Sequence, residues 1–424
     1  MKTLLALFSR SRRTGPVDPV LAAMAIALVG FGVVMVYSAS VIEATVVHRD
    51  PQYFLKRQAI YALVGLVTML VVSRIDYRKL RPFTYVILGA VIFLLGLSIT
   101  GLGHSGGGAA RWLRIGPVNI QPSEAAKLAL VLWLGYSLDK KQERIKTFGV
   151  GILPHLIIAG GLMVLCLKQP DFGGAVVLLA LTFTMLFVAG ARLFWLVGVA
   201  MVGAAFGGWL IWSASYRYER ILAWWHMDQH RQDLAYQPFQ SVMSFGSGEA
   251  SGLGLGHGFQ VLYLPEAHND FISAIIGEEL GFIGILALCA TYLLLVARGV
   301  RAALAVGDDY GAYLAFGISV LFGLQALLNL GVAMAILPTK GLTLPFISYG
   351  GSSLLVNAAA MGIVLNISRG PPVTANVRTD EATGPQPEAS AMLASEADFS
   401  PEPEGPGAPA ETPPAGGRAA EVPA

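Results

Sequence analysis

The sequence predicts an all-α fold, a polytopic membrane protein with about ten transmembrane helices. Of its 424 residues, 54% are hydrophobic and only 13% are charged. Runs of about 18 or more apolar residues recur between short charged loops, and this is the length that an α-helix needs to cross a bilayer. A helical membrane bundle is therefore the expected fold class.

Ten apolar segments are bounded by charged residues or by clusters of Pro and Gly, and each is predicted to be a transmembrane helix. In chain order they are approximately 18–40, 57–73, 82–101, 121–138, 149–167, 172–189, 193–212, 271–297, 311–336 and 348–368. Residues 1–17 form a basic segment that leads into the first span without a cleavage site, so the first span is the expected targeting signal.

An even number of spans puts both termini on one side, and the basic residues indicate which side. In the N-terminal segment and the shorter loops, sixteen Lys and Arg residues fall on the side of the termini and seven fall opposite. The positive-inside rule therefore predicts that both termini are cytoplasmic. Residues 213–270, between spans seven and eight, are then a large periplasmic loop.

Beyond the last span the composition changes to Pro, Ala, Gly and Glu. Too little apolar surface is present to offset the entropy of ordering, so residues 370–424 are predicted to be a disordered cytoplasmic tail. The net charge of +2 is spread over many loops, which excludes nucleic acid as a partner. Cys166 and Cys289 lie within predicted spans, so neither a disulfide nor a metal–thiolate site is expected.

The segment Tyr263–Asp270 reads Tyr-Leu-Pro-Glu-Ala-His-Asn-Asp and directly precedes the eighth span. It brings polar chemistry to the outer membrane surface, where partial burial raises the pKa of a carboxylate toward the range of a general base. Asp270 is the predicted base, with helix capping as the alternative role. Glu266 shares a face with Asp270 only if the motif is helical. His268 is expected to donate to a diphosphate, to position Asp270 or to be only a surface hydrogen-bonding residue.

A glycine-rich run, Ser247–Gly258, lies earlier in the same loop. Glycines permit positive φ angles and the close approach of a ligand or another part of the chain. No strand precedes this run, so it is not a nucleotide-binding fingerprint. Phosphate cradling and a flexible connection stay open as alternatives.

Several charged residues fall within spans, where lipid disfavours them. Glu124 and Lys127 are three apart in the fourth span and can pair on one helix face, either as a structural pair or in contact with a substrate. Glu278 and Glu279 lie two turns into the eighth span, and at least one of them is expected to face an interior cavity.

Cations and exposed backbone amides suit an anionic substrate. Arg111 and Arg114 precede the fourth span, and arginine binds phosphate through two parallel hydrogen bonds. Lys340 and Ser352 flank the start of the tenth span, where free N–H groups favour an anion. A tight re-entrant turn with glycines used only for packing is the alternative there.

Four segments of the chain together resemble the SEDS (shape, elongation, division, sporulation) family: Gln169–Gly173, Ser247–Gly258, Leu264–Asp270 and Leu337–Ser353. The resemblance covers residues 18–369 and implies a ten-helix membrane fold. It further implies a peptidoglycan glycosyltransferase that polymerises lipid II into β-1,4-linked glycan at the outer face of the bacterial inner membrane. Transfer would invert the anomeric centre, with undecaprenyl diphosphate as the leaving group.

Within that family, Pro265–His268 and Leu337–Gly341 resemble the division branch, which works at the septum, and the elongation branch is the alternative. The resemblance implies that Asp270 matches the essential aspartate of the family. It also implies partnership with a class B penicillin-binding protein, a transpeptidase, and with other division proteins. The residues assigned to substrate binding are Arg111, Arg114, Glu124, Lys127, Glu266, His268, Lys340 and Ser352.

No cofactor is predicted firmly, and no metal constellation is visible in the sequence. A divalent cation, Mg²⁺ or Mn²⁺, bridging Asp270 or Glu266 to the diphosphate is chemically reasonable. Two rival functions stay open: a lipid II flippase that uses Glu124, Lys127 and Glu278 as a polar path, and a division scaffold. Transport needs a site at the membrane midplane, so the outward placement of Asp270 favours polymerisation.

Overall fold

The structure is a computed structural model, and it describes residues 15–100, 104–106, 109–115, 118–213, 215–339 and 341–370. The chain divides into two units, Met1–Thr374 and Ala375–Ala424. The whole second unit lies outside the described residues. The prediction of a disordered tail over 370–424 therefore falls outside them, apart from Gly370.

The described residues form twelve α-helices, and ten of them overlap the ten predicted spans. The helices are α1 (Pro19–His48), α2 (Tyr53–Arg74), α3 (Thr84–Ile99), α4 (Pro122–Lys141), α5 (Leu153–Lys168), α6 (Phe172–Val188), α7 (Leu193–Trp212), α8 (Ser215–Trp225), α9 (Tyr236–Gly248), α10 (Ile272–Ala305), α11 (Asp309–Ala333) and α12 (Gly351–Ser368). The two additional helices, α8 and α9, lie in the predicted large loop.

Length and composition confirm a polytopic membrane protein. Among the described residues, seven helical stretches are long and apolar enough to cross a membrane, and the apolar stretches of α6 and α7 are shorter. The fourth predicted span, α4, belongs to neither group and carries the charged residues Glu124 and Lys127. Charged residues inside a span are costly in lipid, which makes α4 a helix whose polar face needs protein around it.

A small antiparallel sheet lies between α3 and α4 in the chain, and the helical pattern did not predict it. Its strands are β1 (His104–Gly106), β2 (Ala109–Ile115) and β3 (Val118–Ile120), in the spatial order β1-β2-β3. β2 contacts α3 and α4, and β3 contacts the α12 helix. Strands of three to seven residues are too short for their periodicity to stand out from the sequence.

The helices pack closely where small residues remove side-chain bulk. α2 packs along α12, α10 packs along α11, and α4 contacts α3, α6 and α11. A Cβ at Gly351 would lie 2.7 Å from the Tyr61 ring, and one at Gly362 would lie 2.8 Å from the carbonyl oxygen of Met69. Such small residues are typical of helix contacts in membranes, because they let backbones approach.

The helix α10 is interrupted at Gly281, where φ is 65° and ψ is −165°. The segment 249–254 lies against this break and makes four backbone hydrogen bonds with it: Phe282 N to Glu249 O (2.9 Å), Ile283 N to Ala250 O (3.1 Å), Leu253 N to Glu278 O (3.0 Å) and Gly254 N to Glu279 O (3.0 Å). Backbone groups freed inside a membrane need such partners. The glycine-rich run therefore completes a broken helix.

One end of the bundle carries both described chain ends, and we call it the terminal end. There the backbone N–H of Asp18 donates to Ser368 Oγ at 3.1 Å. The other end carries residues 264–270 and is called the motif end. Three ion pairs join segments at the terminal end: Arg298–Asp18 (2.9 Å), Arg78–Asp308 (2.9 Å) and Arg81–Asp139.

Candidate active site

Residues 264–270 form a chain of turns at the motif end. Glu266 adopts a left-handed backbone, with φ at 52°, and its Oε2 accepts a hydrogen bond from Asn269 Nδ2 at 3.2 Å. Because the motif is not helical, Glu266 and Asp270 do not share a helix face. Glu266 is exposed to solvent.

Asp270 is half-buried and lies two residues before α10 begins. The residue at the N-cap position is Phe271, whose side chain makes no capping hydrogen bond. Asp270 thus lies one residue before the N-cap position, and both of its roles, as base and as cap, stay predictions.

Three consecutive carbonyl groups of the motif accept hydrogen bonds from other parts of the chain. The donors come from the segment before α12 and from α11: Tyr349 N to His268 O (3.0 Å), Ser348 Oγ to Asn269 O (2.7 Å) and Asn329 Nδ2 to Asp270 O (2.9 Å). The backbone that carries Asp270 is thus held from two directions. A fixed backbone restricts where the carboxylate can lie, which is the preorganisation that proton transfer needs.

Asn329 connects the motif to the segment 341–350. Its Nδ2 also donates to the carbonyl of Leu342 at 2.6 Å, and its Oδ1 accepts from Ser273 Oγ at 2.9 Å. A polar side chain in the predicted ninth span is expected to link helices. The structure shows that this asparagine also holds the backbone of Asp270, a role that its sequence position alone did not indicate.

A line of polar side chains leads from the segment 341–350 into the bundle. Thr343 Oγ1 lies 3.1 Å from Ser353 Oγ, and Ser353 Oγ donates to Glu124 Oε2 at 3.3 Å. Glu124 Oε1 accepts from Lys127 Nζ at 2.7 Å. The Glu124 and Lys127 side chains are only 6% and 3% exposed, so the predicted pairing is present and buried.

Ser352 also lies at this junction. Its Oγ accepts a hydrogen bond from the backbone N–H of Gln121, at the start of α4, over 3.2 Å. No side chain caps the start of α12. Substrate contact by Ser352 stays a prediction, and its described contact holds α4 to α12.

The predicted phosphate-binding cations are described only in part. The backbones of Arg111 and Arg114 lie in β2, and Arg114 is paired with Asn119 in the sheet. The side chains of both arginines and all of Lys340 lie outside the described part of the chain. Their roles in substrate binding stay predictions.

His268 is 3% exposed, so it is not a surface residue. Its ring lies 4.5 Å from the Phe54 ring and 5.4 Å from the Tyr349 ring, centroid to centroid. Burial lowers the pKa of His268 to about 4, because the charged form loses its hydration. The imidazole is therefore neutral near pH 7.

Glu278 and Glu279 are both buried within the first part of α10. Glu278 Oε1 accepts from the backbone N–H groups of Phe259 (2.7 Å) and Gln260 (3.1 Å). Glu279 Oε1 accepts from Ser38 Oγ at 2.5 Å. Since a carboxylate already takes the donors that follow the glycine-rich run, phosphate cradling there is not favoured.

A cavity of about 310 Å³ lies beside the break in α10. Its lining is mostly apolar and includes Phe245, Phe282 and Met334, while Asp270 is not part of it. Among the described residues, no group of three or more His, Cys, Asp and Glu side chains is placed to hold a metal ion.

The geometry at the motif end suits proton transfer next to an anionic group. It offers the half-buried carboxylate of Asp270 on a fixed backbone, a neutral imidazole two residues before it, and a polar line that ends at a buried lysine. A carboxylate in such surroundings can accept a proton from a hydroxyl as a bond forms.

Comparison with known proteins gives a consistent result over most of the chain. The model of the cell cycle protein family FtsW/RodA/SpoVE matches residues 19–371. A curated relative from Geobacter metallireducens, named probable peptidoglycan glycosyltransferase FtsW, is 47% identical over 353 residues, which are 83% of this chain and 94% of the relative. Stage V sporulation protein E of Bacillus subtilis is 37% identical over 361 residues, 85% of this chain and 98% of that protein.

Solved structures agree with the sequence relatives. A chain of a peptidoglycan synthase complex, described as coordinating polymerisation and crosslinking, matches with a TM-score of 0.70 and 31% identity over 83% of this chain and 98% of its own. The rod shape determining protein RodA of Thermus thermophilus matches with a TM-score of 0.62 and 29% identity, over 83% of this chain and 97% of its own.

Proposed function

This chain belongs to the FtsW/RodA/SpoVE family of cell cycle proteins, and we propose that it is a peptidoglycan glycosyltransferase of cell division. Its proposed substrate is lipid II, which it polymerises into β-1,4-linked glycan strands. Relatives that carry this activity in their names match most of the chain. Within the molecule, the observation that carries the proposal is the half-buried Asp270 on a backbone held by three donors.

The reaction joins the 4-hydroxyl of an acceptor sugar to the anomeric carbon of lipid II. Asp270 takes the proton of that hydroxyl as general base. The hydroxyl oxygen forms the new bond on the face opposite to the diphosphate, and the bond to undecaprenyl diphosphate breaks. The configuration at the anomeric carbon therefore inverts.

The departing diphosphate gains negative charge, which cations or N–H donors must stabilise. Arg111, Arg114 and Lys340 are the proposed donors, because guanidinium groups bind phosphate through two hydrogen bonds. Lys127 is buried beside Glu124, and its ammonium group has further N–H donors that could contact a phosphate. A Mg²⁺ or Mn²⁺ ion would take ligands from the diphosphate and water as well as from Asp270 or Glu266.

The proposal puts the motif end at the outer face of the inner membrane and both termini in the cytoplasm. The excess of Lys and Arg on the side of the termini supports this orientation. Lipid-linked precursor would then reach Asp270 from the outer leaflet. The proposed location in the cell is the division septum.

Polymerisation needs a partner that crosslinks the new strands, and we propose a class B penicillin-binding protein together with other division proteins. The match to a chain of a peptidoglycan synthase complex supports such a partnership. The relatives named for the division protein favour the division branch over the elongation branch.

Transport of lipid II has less support than polymerisation. A transporter needs a polar path past the midplane, but Glu124 is paired with Lys127 and Glu278 accepts two backbone N–H groups. Opening the terminal end would also have to break the ion pairs that join its helices. A scaffold function would leave the fixed position of Asp270 without a purpose.

The test is polymerisation of labelled lipid II by the purified protein with its class B partner. Asp270→Asn keeps the size of the side chain and removes the base, so the glycan product should be lost while the complex stays folded. Asp233→Asn is the matched control, since Asp233 is an exposed aspartate that contacts its neighbours His230 and Leu234. If Asp270→Asn makes as much glycan as the wild type, Asp270 is not the base. If the folded wild-type complex makes no glycan, the result favours lipid II transport over polymerisation.

A further inference from the structure

Glu43 lies near the end of α1, far from the motif in sequence, and its carboxylate contacts the imidazole of His268. Its Oε2 lies 3.4 Å from His268 Nδ1. The carboxylate side chain is 42% exposed, whereas the imidazole is 4% exposed. One charged group at the surface thus meets one buried ring of the proposed site.

His268 Nδ1 is buried and has no hydrogen-bond partner among the described residues. A buried polar atom without a partner costs about 1–3 kcal/mol, so a polar group in contact with it influences its protonation. That group is the Glu43 carboxylate, which in its ionised form accepts hydrogen bonds and cannot donate them. A lone pair on Nδ1 would be repelled there, whereas an N–H would be attracted.

The ring has little freedom to avoid this contact. It contacts the rings of Phe54 in α2 and Tyr349 in the segment before α12, which also contact each other, and the carbonyl of His268 is held by the backbone N–H of Tyr349. These contacts restrict rotation of the ring, which has Nδ1 on the side of Glu43. In a neutral imidazole one nitrogen donates and the other accepts.

We infer that Glu43 is a positioning residue that selects the Nδ1–H tautomer of His268, so that Nε2 is a hydrogen-bond acceptor for the substrate two residues before Asp270. This inference rests on the proposed function for the identity of the substrate, whose sugar hydroxyl and amide groups supply N–H and O–H donors. The burial that keeps the ring neutral is compatible with this inference. In a charged imidazole both nitrogens carry a proton, so neither could accept a hydrogen bond from the substrate.

The kinetic test compares Glu43→Gln with the wild type in the complex with the class B partner. A glutamine can turn either its oxygen or its amide nitrogen toward Nδ1, so the tautomer is no longer selected. We expect kcat to fall about tenfold while the KM for lipid II changes by no more than about twofold, because the wrong tautomer offers the substrate a donor in place of an acceptor. The loss should be smaller than the loss caused by a wrong tautomer of a histidine that is itself the general base. Asp50→Asn is the control, because Asp50 is an exposed carboxylate of the loop after α1, paired with Lys56.

The combined variant tests whether Glu43 acts through His268. In a His268→Ala background, Glu43→Gln should cause no further loss, because the ring it orients is absent. Losses that multiply, or a Glu43→Gln variant with a lower melting temperature and unchanged kcat, would overturn the inference.

A spectroscopic measurement decides the inference without relying on activity. Protein with ¹⁵N-labelled histidine, assigned by difference from His268→Ala, should show a protonated Nδ1 and an unprotonated Nε2 for His268. In Glu43→Gln the opposite tautomer should become populated. A protonated Nε2 in the wild type would overturn the inference even if glycan synthesis is intact, and a protonated Nδ1 would support it even if no glycan forms.

Discussion

The terminal end and the motif end of the bundle are held together by different kinds of interaction. At the terminal end, ion pairs join the helix ends, and the arginine side chains of two pairs, Arg78 and Arg81, are 52% and 50% exposed. At the motif end, the contacts that hold the motif are hydrogen bonds to backbone carbonyls. The polar line beside the motif ends at the Glu124–Lys127 pair, which is buried.

The difference follows from what each end must withstand. An exposed ion pair contributes little and competes with salt, which is adequate where helices only need to stay together. A site for an anionic substrate needs its geometry kept by neutral groups, because a diphosphate would compete for any exposed cation. Hydrogen bonds between amide and carbonyl groups do not change when the substrate arrives.

The break in α10 offers the strongest test of this comparison. Gly281→Ala would put a Cβ 2.3 Å from the backbone nitrogen of Gly252, at a φ of 65° that is nearly exclusive to glycine at this ψ. We expect a cost of more than about 3 kcal/mol and loss of folded protein in size-exclusion chromatography. Gly160→Ala is the control, since a Cβ there meets nothing within 4 Å. Equal yields of the two variants would contradict the described break.

The buried pair should be the next most sensitive feature. Lys127→Met leaves Glu124 buried without its cation, at a cost of about 3–5 kcal/mol, which thermal melting in detergent will show. The double variant Glu124→Gln, Lys127→Met should recover most of the stability. If it also recovers glycan synthesis, the pair is structural, and if it folds without activity, at least one of Glu124 and Lys127 contacts the substrate. A single variant as stable as the wild type would contradict burial of the pair.

The neutral His268 predicts a pH dependence at the motif end. Its pKa is about 4 in the folded protein against an ordinary value of 6.5, so the unfolded chain takes up the proton first as pH falls. Stability should decrease between about pH 6.5 and pH 4, by up to about 3 kcal/mol. Melting temperatures measured over this range should fall less steeply in His268→Asn. Parallel curves for the two proteins would show that His268 is not buried in a neutral form.

The smallest effect is expected at the terminal end. Arg78→Gln removes one partner of a half-exposed ion pair with Asp308, which is worth at most about 1 kcal/mol. The difference in melting temperature from the wild type should shrink in about 1 M salt, where charges are screened within a few ångströms. A larger difference, or one that persists in salt, would show that the two ends do not differ as described.

Local patterns in the sequence identified much of the architecture. Each predicted span overlaps a helix, because about twenty apolar residues in a row have few alternatives to a membrane helix. The spacing of Glu124 and Lys127 indicated their pairing, since residues three apart meet on one helix face. The unusual polarity of the segment 264–270, next to a long apolar run, marked the candidate site.

Other features depend on contacts between distant segments, and no local pattern carries them. The break at Gly281 exists because residues 249–254 supply partners for its backbone groups. The short strands β1 to β3 lack a recognisable period. From the sequence, Asn329 could be expected only to link helices, and its hydrogen bond to the carbonyl of Asp270 could not be predicted.

The sequence by itself predicted the ten long helices of a polytopic membrane protein and singled out Asp270 as the candidate base, because burial of apolar surface and the cost of charge in lipid act residue by residue. Only the tertiary structure decided what surrounds that carboxylate. Asn329, Ser348 and Tyr349 come from segments remote in the chain, and Glu43 approaches His268 from α1. Hydrogen bonds and tautomers depend on distances within a few ångströms, and those distances arise only when the helices have packed.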